Sequence, residues 1–123
     1  MRGIFGFAAL AGTVLAGPAA AQFHGGTPMQ VAAAAYGQCF YERGRSAERG
    51  GASADAAIAA GFASCKSQRK RALKETRARI AAAGLPDAKS SAETLIASGD
   101  RSLADTLRQE IAAKRGTAAT APK

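Results

Sequence analysis

Two cysteines carry the most definite chemistry in this sequence. Cys39 and Cys65 each fall on the apolar side of a predicted helix, and they are much further apart than the cysteines of a redox-active CxxC motif. Two cysteines allow one intramolecular pairing, which forms under the oxidising conditions outside the cytoplasm. We therefore predict a structural disulfide between them. The alternative is a redox-active pair whose thiolate is stabilised by the basic neighbours Lys66 and Arg69.

Other catalytic chemistry finds little support. The single histidine, His24, falls in a predicted flexible leader, whereas a general base must be held in place. As the third residue after a cut before Gln22, His24 could be a weak copper or nickel contact. A Ser-His-Asp hydrolase is excluded because no histidine lies in the folded region, and zinc and c-type haem sites lack their ligand patterns. We predict a non-enzyme without a cofactor and without a metal site.

A basic run stands out on the predicted surface. From Lys66 to Arg79 the sequence contains seven basic residues and only one acidic residue, Glu75. Four of them recur at helical spacing and form a stripe beside the apolar face of the helix, which makes them candidate anion-binding residues: Lys66, Lys70, Lys74 and Arg77.

A basic stripe of this kind suits an acidic partner. In an exported protein the candidates are anionic lipid head groups, lipopolysaccharide, acidic polymers and acidic envelope proteins. Nucleic acid is not expected, because no aromatic residues alternate with the basic ones. The alternative is a solvated helix face without a partner. Arg43 and Arg69 fall on the apolar side itself, where we expect their side chains to run along it toward Glu42, Glu48 or solvent.

The first residues predict export. Arg2 precedes an uncharged apolar run from Ile4 to Gly17, and Ala19 to Ala21 supply small residues for a signal peptidase, so residues 1–21 are a predicted cleaved signal peptide. The run is too short to span a membrane, and no second apolar run follows it. We predict a periplasmic or secreted protein with no transmembrane span in the mature chain.

The mature chain is small and basic. Its formal net charge is +8 before cleavage, and removal of Arg2 takes away one positive charge. Its apolar content is dominated by alanine, and it contains no tryptophan. Such a chain buries little apolar surface per residue and benefits from a covalent link. We predict a flexible leader at 22–26, one helical domain at 27–115 and a disordered tail at 116–123.

Helix signals fill the predicted domain, and strand signals are absent. Thr27 and Pro28 form a helix start, Gly50-Gly51 a turn, and Ser53 a second start for a helix that continues to Ala83. Residues that face each other in an antiparallel hairpin have a constant sum of positions. The midpoint of Cys39 and Cys65 is Ala52, beside the predicted turn, so two signals agree on a hairpin clamped by the disulfide.

The C-terminal segment must cover the apolar residues that the hairpin leaves exposed. The second helix extends past the first, and Ile80 needs a partner from elsewhere. Ser90 or Ser91 can cap a helix that carries Leu95 and Ile96, and Asp100 can start a last helix with Leu103, Leu107 and Ile111. Whether Gly99 separates two helices or bends one stays open. The predicted fold is all-α: an antiparallel helical hairpin clamped by one disulfide, with one or two further C-terminal helices packed on it.

Overall fold

A computed structural model describes residues 26–120, with side chains as far as Thr117. Four helices make up this part of the chain: α1 at Pro28–Arg49, α2 at Ala54–Ser64, α3 at Lys66–Ala82 and α4 at Ala88–Thr120. Helix α1 packs against α2 and α3, and α4 packs on all three. The described residues contain no strand, and the all-α prediction is confirmed.

The start of α1 is set by local chemistry. The Thr27 side chain accepts a hydrogen bond from the Gln30 backbone N–H at 3.2 Å, and the Gln30 side chain accepts one from the Thr27 backbone N–H at 3.0 Å. This capping box satisfies two backbone donors that a helix start otherwise leaves free. Pro28 follows as the first helical residue, where its missing N–H costs nothing.

The turn after α1 is the one that the glycines predict. Gly51 has a φ of 103°, which a residue with a Cβ rarely adopts. The Ser53 hydroxyl then accepts a hydrogen bond from the Ala56 N–H at 3.1 Å and starts α2. The chain therefore reverses within four residues, and α2 returns along α1.

The second arm of the hairpin is interrupted, although its sequence predicts one helix from Ser53 to Ala83. Cys65 leaves helical geometry, with φ −117° and ψ 29°, and separates α2 from α3. The interruption is local, because the Cys65 N–H still bonds to the Phe62 carbonyl at 3.3 Å and the Cys65 carbonyl accepts from Arg69. Cys65 is fully buried and tied to α1, which holds the chain at this point.

Gly61, in the interior of α2, lies where this helix packs closely against Phe40 of α1. A Cβ added at Gly61 would stand 2.7 and 2.9 Å from two ring atoms of Phe40. Phe40 is fully buried, and its ring lies 4.7 Å from that of Phe62. The glycine is therefore kept by packing, since any larger residue would collide with the core aromatic.

A single long helix, α4, replaces the two C-terminal helices that the sequence left as one possibility. It begins at Ala88, ahead of the predicted caps, and passes through Gly99 without interruption. Asp87 precedes it with a φ of 53°, and the Asp87 carbonyl accepts the Ser91 N–H at 2.9 Å. Its 33 residues are long enough to cover both arms of the hairpin.

Helix α4 extends to Thr120, into the segment 116–123 that the sequence assigned to a C-terminal tail, and the last three residues of that segment lie outside the described residues. Polar contacts hold the preceding turn against the α1–α2 connection. Lys114 bonds to the Glu48 carboxylate at 3.0 Å, and Arg115 donates to the Ala52 carbonyl at 3.0 Å. The helix is thus anchored close to its end.

Two clusters form the core, and the disulfide belongs to the first of them. The first joins α1 to α3 and the first half of α4, and its buried members are Ala32, Tyr36, Cys65, Ala72 and Ile96. The second joins α1 to α2 and the second half of α4, and its buried members are Phe40, Ala57, Ile58, Leu107 and Ile111. Ile80, which needs cover beyond the hairpin, is also buried.

Candidate anion-binding surface and neighbouring sites

The four candidate basic residues are all exposed on α3, and three of them share a groove. Lys70, Lys74 and Arg77 line a depression of about 320 Å³ between α3 and α4, whereas Lys66 lies outside it. The groove continues onto α4 with Lys89 and Glu93, and Leu73 completes its wall. We call this surface the basic groove.

Lys89 is a functional candidate that the sequence stripe did not contain. It falls in the first turn of α4, in a stretch that the sequence placed ahead of the predicted helix cap. Its membership depends on how α3 and α4 pack, which helical spacing within one segment cannot indicate. The basic groove therefore has four basic side chains from two helices and a single carboxylate, that of Glu93.

Acidic side chains elsewhere are used by other basic residues. Within residues 26–120, the ion pairs join Arg45 to Glu110, Arg69 to Asp100, Arg108 to Asp55 and Asp105, and Lys114 and Arg115 to Glu48. In the described structure none of the basic-groove residues takes part in an ion pair. Positive charge is therefore left uncompensated on the α3–α4 side, where it can attract an anion.

The disulfide is confirmed and links the two arms of the hairpin. Cys39 of α1 is bonded to Cys65, and their Cα atoms lie 6.0 Å apart. No cysteine in the described residues is free. The pair joins α1 to the α2–α3 junction, so it stabilises the fold at the position where the second arm leaves helical geometry.

A polar cluster in the middle of the bundle was not predicted. The Tyr36 hydroxyl donates to Asp100 Oδ1 at 2.5 Å, and Arg69 donates to Asp100 Oδ2 from Nε at 3.0 Å and from Nη2 at 2.7 Å. Arg69 thus binds α4, and not the glutamates that the sequence suggested. Arg43, the other arginine predicted on the apolar side, is exposed.

The titration behaviour of this cluster is that of a structural contact. Burial and the hydrogen bond to the Asp100 carboxylate raise the pKa of Tyr36 well above its ordinary value. The hydrogen bond to Asp100 also raises the pKa of Arg69. Both groups therefore keep their protons, so neither serves as a base, and the cluster holds α1, α3 and α4 together.

A second groove is apolar and lies on the side of α3 and α4 that faces α1. Its volume is about 380 Å³, and Tyr36 and Gly99 contribute to its wall beside the polar cluster. The other lining residues come from α1, α3 and α4: Met29, Ala33, Gly37, Ala72, Thr76, Leu95, Ile96, Ser102 and Leu103. We call this surface the apolar groove. It offers space for an apolar side chain or hydrocarbon and has no charged lining residue.

Metal-binding clusters and membrane-spanning helices are both absent from the described residues. Among residues 26–120, no three His, Cys, Asp or Glu side chains come close enough to hold a metal ion together. No described helix combines the length and hydropathy needed to cross a bilayer. His24 and the predicted signal peptide lie outside the described residues.

Comparison with known proteins gives no relative to which this geometry can be referred. No family model, no curated protein and no solved structure matches the chain. The function must therefore be argued from the surface itself.

Proposed function

We propose that this protein is an exported binding module that docks its basic face on an anionic component of the cell envelope. The observation that carries the proposal is the basic groove, in which Lys70, Lys74, Arg77 and Lys89 face a single carboxylate. Uncompensated charge on one face raises the local concentration of anions and orients the encounter with a charged surface. Anionic lipid, lipopolysaccharide and an acidic envelope protein share this chemistry.

The compartment is part of the proposal. A disulfide persists in oxidising surroundings, and the first residues have the pattern of a signal peptide, so we place the working protein in the periplasm or outside the cell. Intact-mass analysis of the protein from its own host should give a chain that begins within a residue or two of Gln22. A chain that retains Met1 and stays in the cytoplasm would contradict this placement.

The binding proposal is tested by removing charge from the groove. The variant Lys70→Gln, Lys74→Gln, Arg77→Gln keeps three long polar side chains at exposed positions, so its stability should stay within about 0.5 kcal/mol of wild type. Binding to phosphatidylglycerol vesicles and to lipopolysaccharide is measured by co-sedimentation at about 0.05 M and about 0.5 M salt, where screening differs strongly. Wild type should bind at low salt and dissociate at high salt, and the variant should not bind.

A matched control separates a site from net charge. The variant Arg43→Gln, Arg49→Gln, Arg101→Gln loses the same number of charges at exposed positions outside the groove. It should retain most of the binding, because none of these three charges lines the basic groove. Equal loss in both variants would show that net charge alone governs binding. Absence of salt-sensitive binding by wild type to every anionic surface would overturn the proposal.

The apolar groove favours a second candidate function, a small holdase-like or inhibitory protein that binds other polypeptides. Its lining is uncharged. An apolar side chain of a partner, about the size of leucine, could contact Met29, Ile96 and Leu103 along its wall. Binding of this kind should persist in high salt, since it depends on apolar burial. Suppression of aggregation of an unfolded test protein, unchanged by the triple substitution in the basic groove, would support this candidate.

A further inference from the structure

The connection between α3 and α4 presents an apolar side chain at one end of the bundle. Leu85 is 58% exposed, more than any other large hydrophobic side chain in the described structure. Its backbone N–H bonds to the Ile80 carbonyl at 3.3 Å, and the Gly84 N–H bonds to the Ala81 carbonyl at 3.0 Å. These bonds fold the connection against the end of α3, so Leu85 is held at a defined place. We call residues 83–87 the tip.

The basic groove begins immediately beside the tip. Lys89 lies in the first turn of α4, next to the tip in sequence, and Arg77 lies near the end of α3. Lys74 and Lys70 follow at successive turns of α3, further from the tip. An exposed leucine is thus followed by a column of basic side chains along the same two helices.

The wall of the groove adds a third feature. Leu73 lies among the basic side chains and is partly buried. Lysine and arginine have long apolar stems, so a groove walled by them and by a leucine presents hydrocarbon inside and positive charge at its rim. This combination matches a molecule that carries an anionic group beside an apolar part.

We propose that the tip and the basic groove together form a contact site for an anionic phospholipid membrane, in which Leu85 enters the interfacial layer and the groove holds lipid phosphates. The inference rests on the proposed function and specifies its partner. A soluble polyanion would satisfy the charges but would leave Leu85 in water. A membrane surface satisfies both, because apolar burial and attraction to anionic lipid act together at the interface.

Single substitutions test the two contributions separately in vesicle flotation. The probe is a mixed phosphatidylglycerol and phosphatidylcholine vesicle, and the protein is the full oxidised chain. Lys89→Gln should weaken binding about fivefold, the effect of one basic residue near an anionic surface. Leu85→Ser should weaken it about five- to tenfold through lost apolar burial, with the dependence on salt retained. Circular dichroism checks that both variants are folded.

Matched controls exist for both changes. Arg43→Gln removes one exposed positive charge from α1, outside the basic groove, and Leu95→Ser removes a leucine that is 56% exposed but lies on the apolar groove. Both should bind the vesicles within about twofold of wild type, as neither residue belongs to the contact site. The inference would be overturned if Lys89→Gln bound the vesicles as well as Arg43→Gln does, or if Leu85→Ser bound them as well as Leu95→Ser does.

A binding experiment with a soluble polyanion distinguishes failure of the inference from failure of the proposed function. Polyglutamate offers anionic charge without an interface. Wild type that binds polyglutamate in low salt but not the vesicles would leave the anionic docking function standing and refute the membrane site. Wild type that binds neither polyglutamate, lipopolysaccharide nor vesicles would refute both. Binding to vesicles that requires Leu85 and Lys89 supports both.

Discussion

Replacement of Asp100 by alanine should destabilise the bundle far more than its place on a helix surface suggests. Asp100 accepts hydrogen bonds from Tyr36 and Arg69, so it joins α4 to α1 and α3 at once. Its side chain is 22% exposed and that of Arg69 is 39% exposed, while Tyr36 as a residue is 4% exposed. The two partners of Asp100 therefore contribute different free energies to the loss when its carboxylate is removed.

The magnitude follows from these exposures. Leaving the buried Tyr36 hydroxyl without its acceptor costs about 1–3 kcal/mol. The guanidinium group of Arg69 is exposed enough to be hydrated, so loss of its ion pair with Asp100 adds only about 0–1 kcal/mol. Alanine is the better helix former and returns up to about 0.7 kcal/mol. The free energy of unfolding should fall by about 2 kcal/mol, which lowers Tm by roughly 10 °C in a domain of this size.

Urea unfolding followed by circular dichroism measures this change, with Asp105→Ala as the matched control. Asp105 lies on the same helix, its side chain is 69% exposed, and its contact with Arg108 is 3.4 Å long. That variant should stay within about 0.5 kcal/mol of wild type. Tyr36→Phe should cost about 1 kcal/mol in wild type and almost nothing in the Asp100→Ala background. Equal stability of the two aspartate variants would refute this description of the cluster.

Four further variants test the packing and the electrostatics. Replacing Cys39 and Cys65 by alanine should lower the free energy of unfolding by about 2–4 kcal/mol with helix content kept near room temperature, measured by urea titration against wild type with and without reductant. Gly61→Ala should destabilise because its Cβ meets a buried phenyl ring, whereas Gly99→Ala, with open space around it, should raise Tm through helix propensity worth about 0.5–1 kcal/mol. The hydrogen bond from Arg45 lowers the pKa of Glu110, so Glu110→Gln should cost about 0.5 kcal/mol at neutral pH, and this cost should shrink as the pH falls through the lowered pKa, as urea unfolding curves over a series of acidic pH values will show.

Local signals were sufficient where the chain itself supplies the partner. The start of α1 at Thr27 and Pro28, the turn at Gly51 and the start of α2 at Ser53 all depend on residues within a few positions of one another. The cysteine pairing was predictable because its midpoint coincides with that turn. These local features are sufficient to predict the hairpin without knowledge of long-range contacts.

Long-range contacts decided the rest. The interruption at Cys65 lies at the buried disulfide, and no helix-breaking residue marks it in sequence. Helix α4 continues through Gly99 because packing along its length outweighs the low helix propensity of glycine. Asp100 resembled a helix start, since aspartate is common there, but its carboxylate binds Arg69 across the bundle. Such partners appear only when helices are placed against each other.

The basic groove, too, was predictable only in part: helical spacing indicates the residues on one helix, and helix packing decides the rest. Spacing along one helix found Lys70, Lys74 and Arg77, which do share a groove. It also included Lys66, which lies outside the groove, and it could not include Lys89, which belongs to another helix. Leu85 carries no periodic signal, because it lies in a connection between helices. Its significance comes from exposure beside the basic groove.

The most direct test of the membrane-contact account uses the absence of tryptophan from the chain. A Leu85→Trp variant carries a single tryptophan at the tip, and Leu95→Trp carries one at a control position of similar exposure. On addition of phosphatidylglycerol vesicles at low salt, Trp emission from the tip should shift to shorter wavelength and be quenched by brominated lipid, and high salt should reverse both effects. Unchanged emission from the tip while the protein is bound to the vesicles, or an equal shift from the control position, would contradict the account.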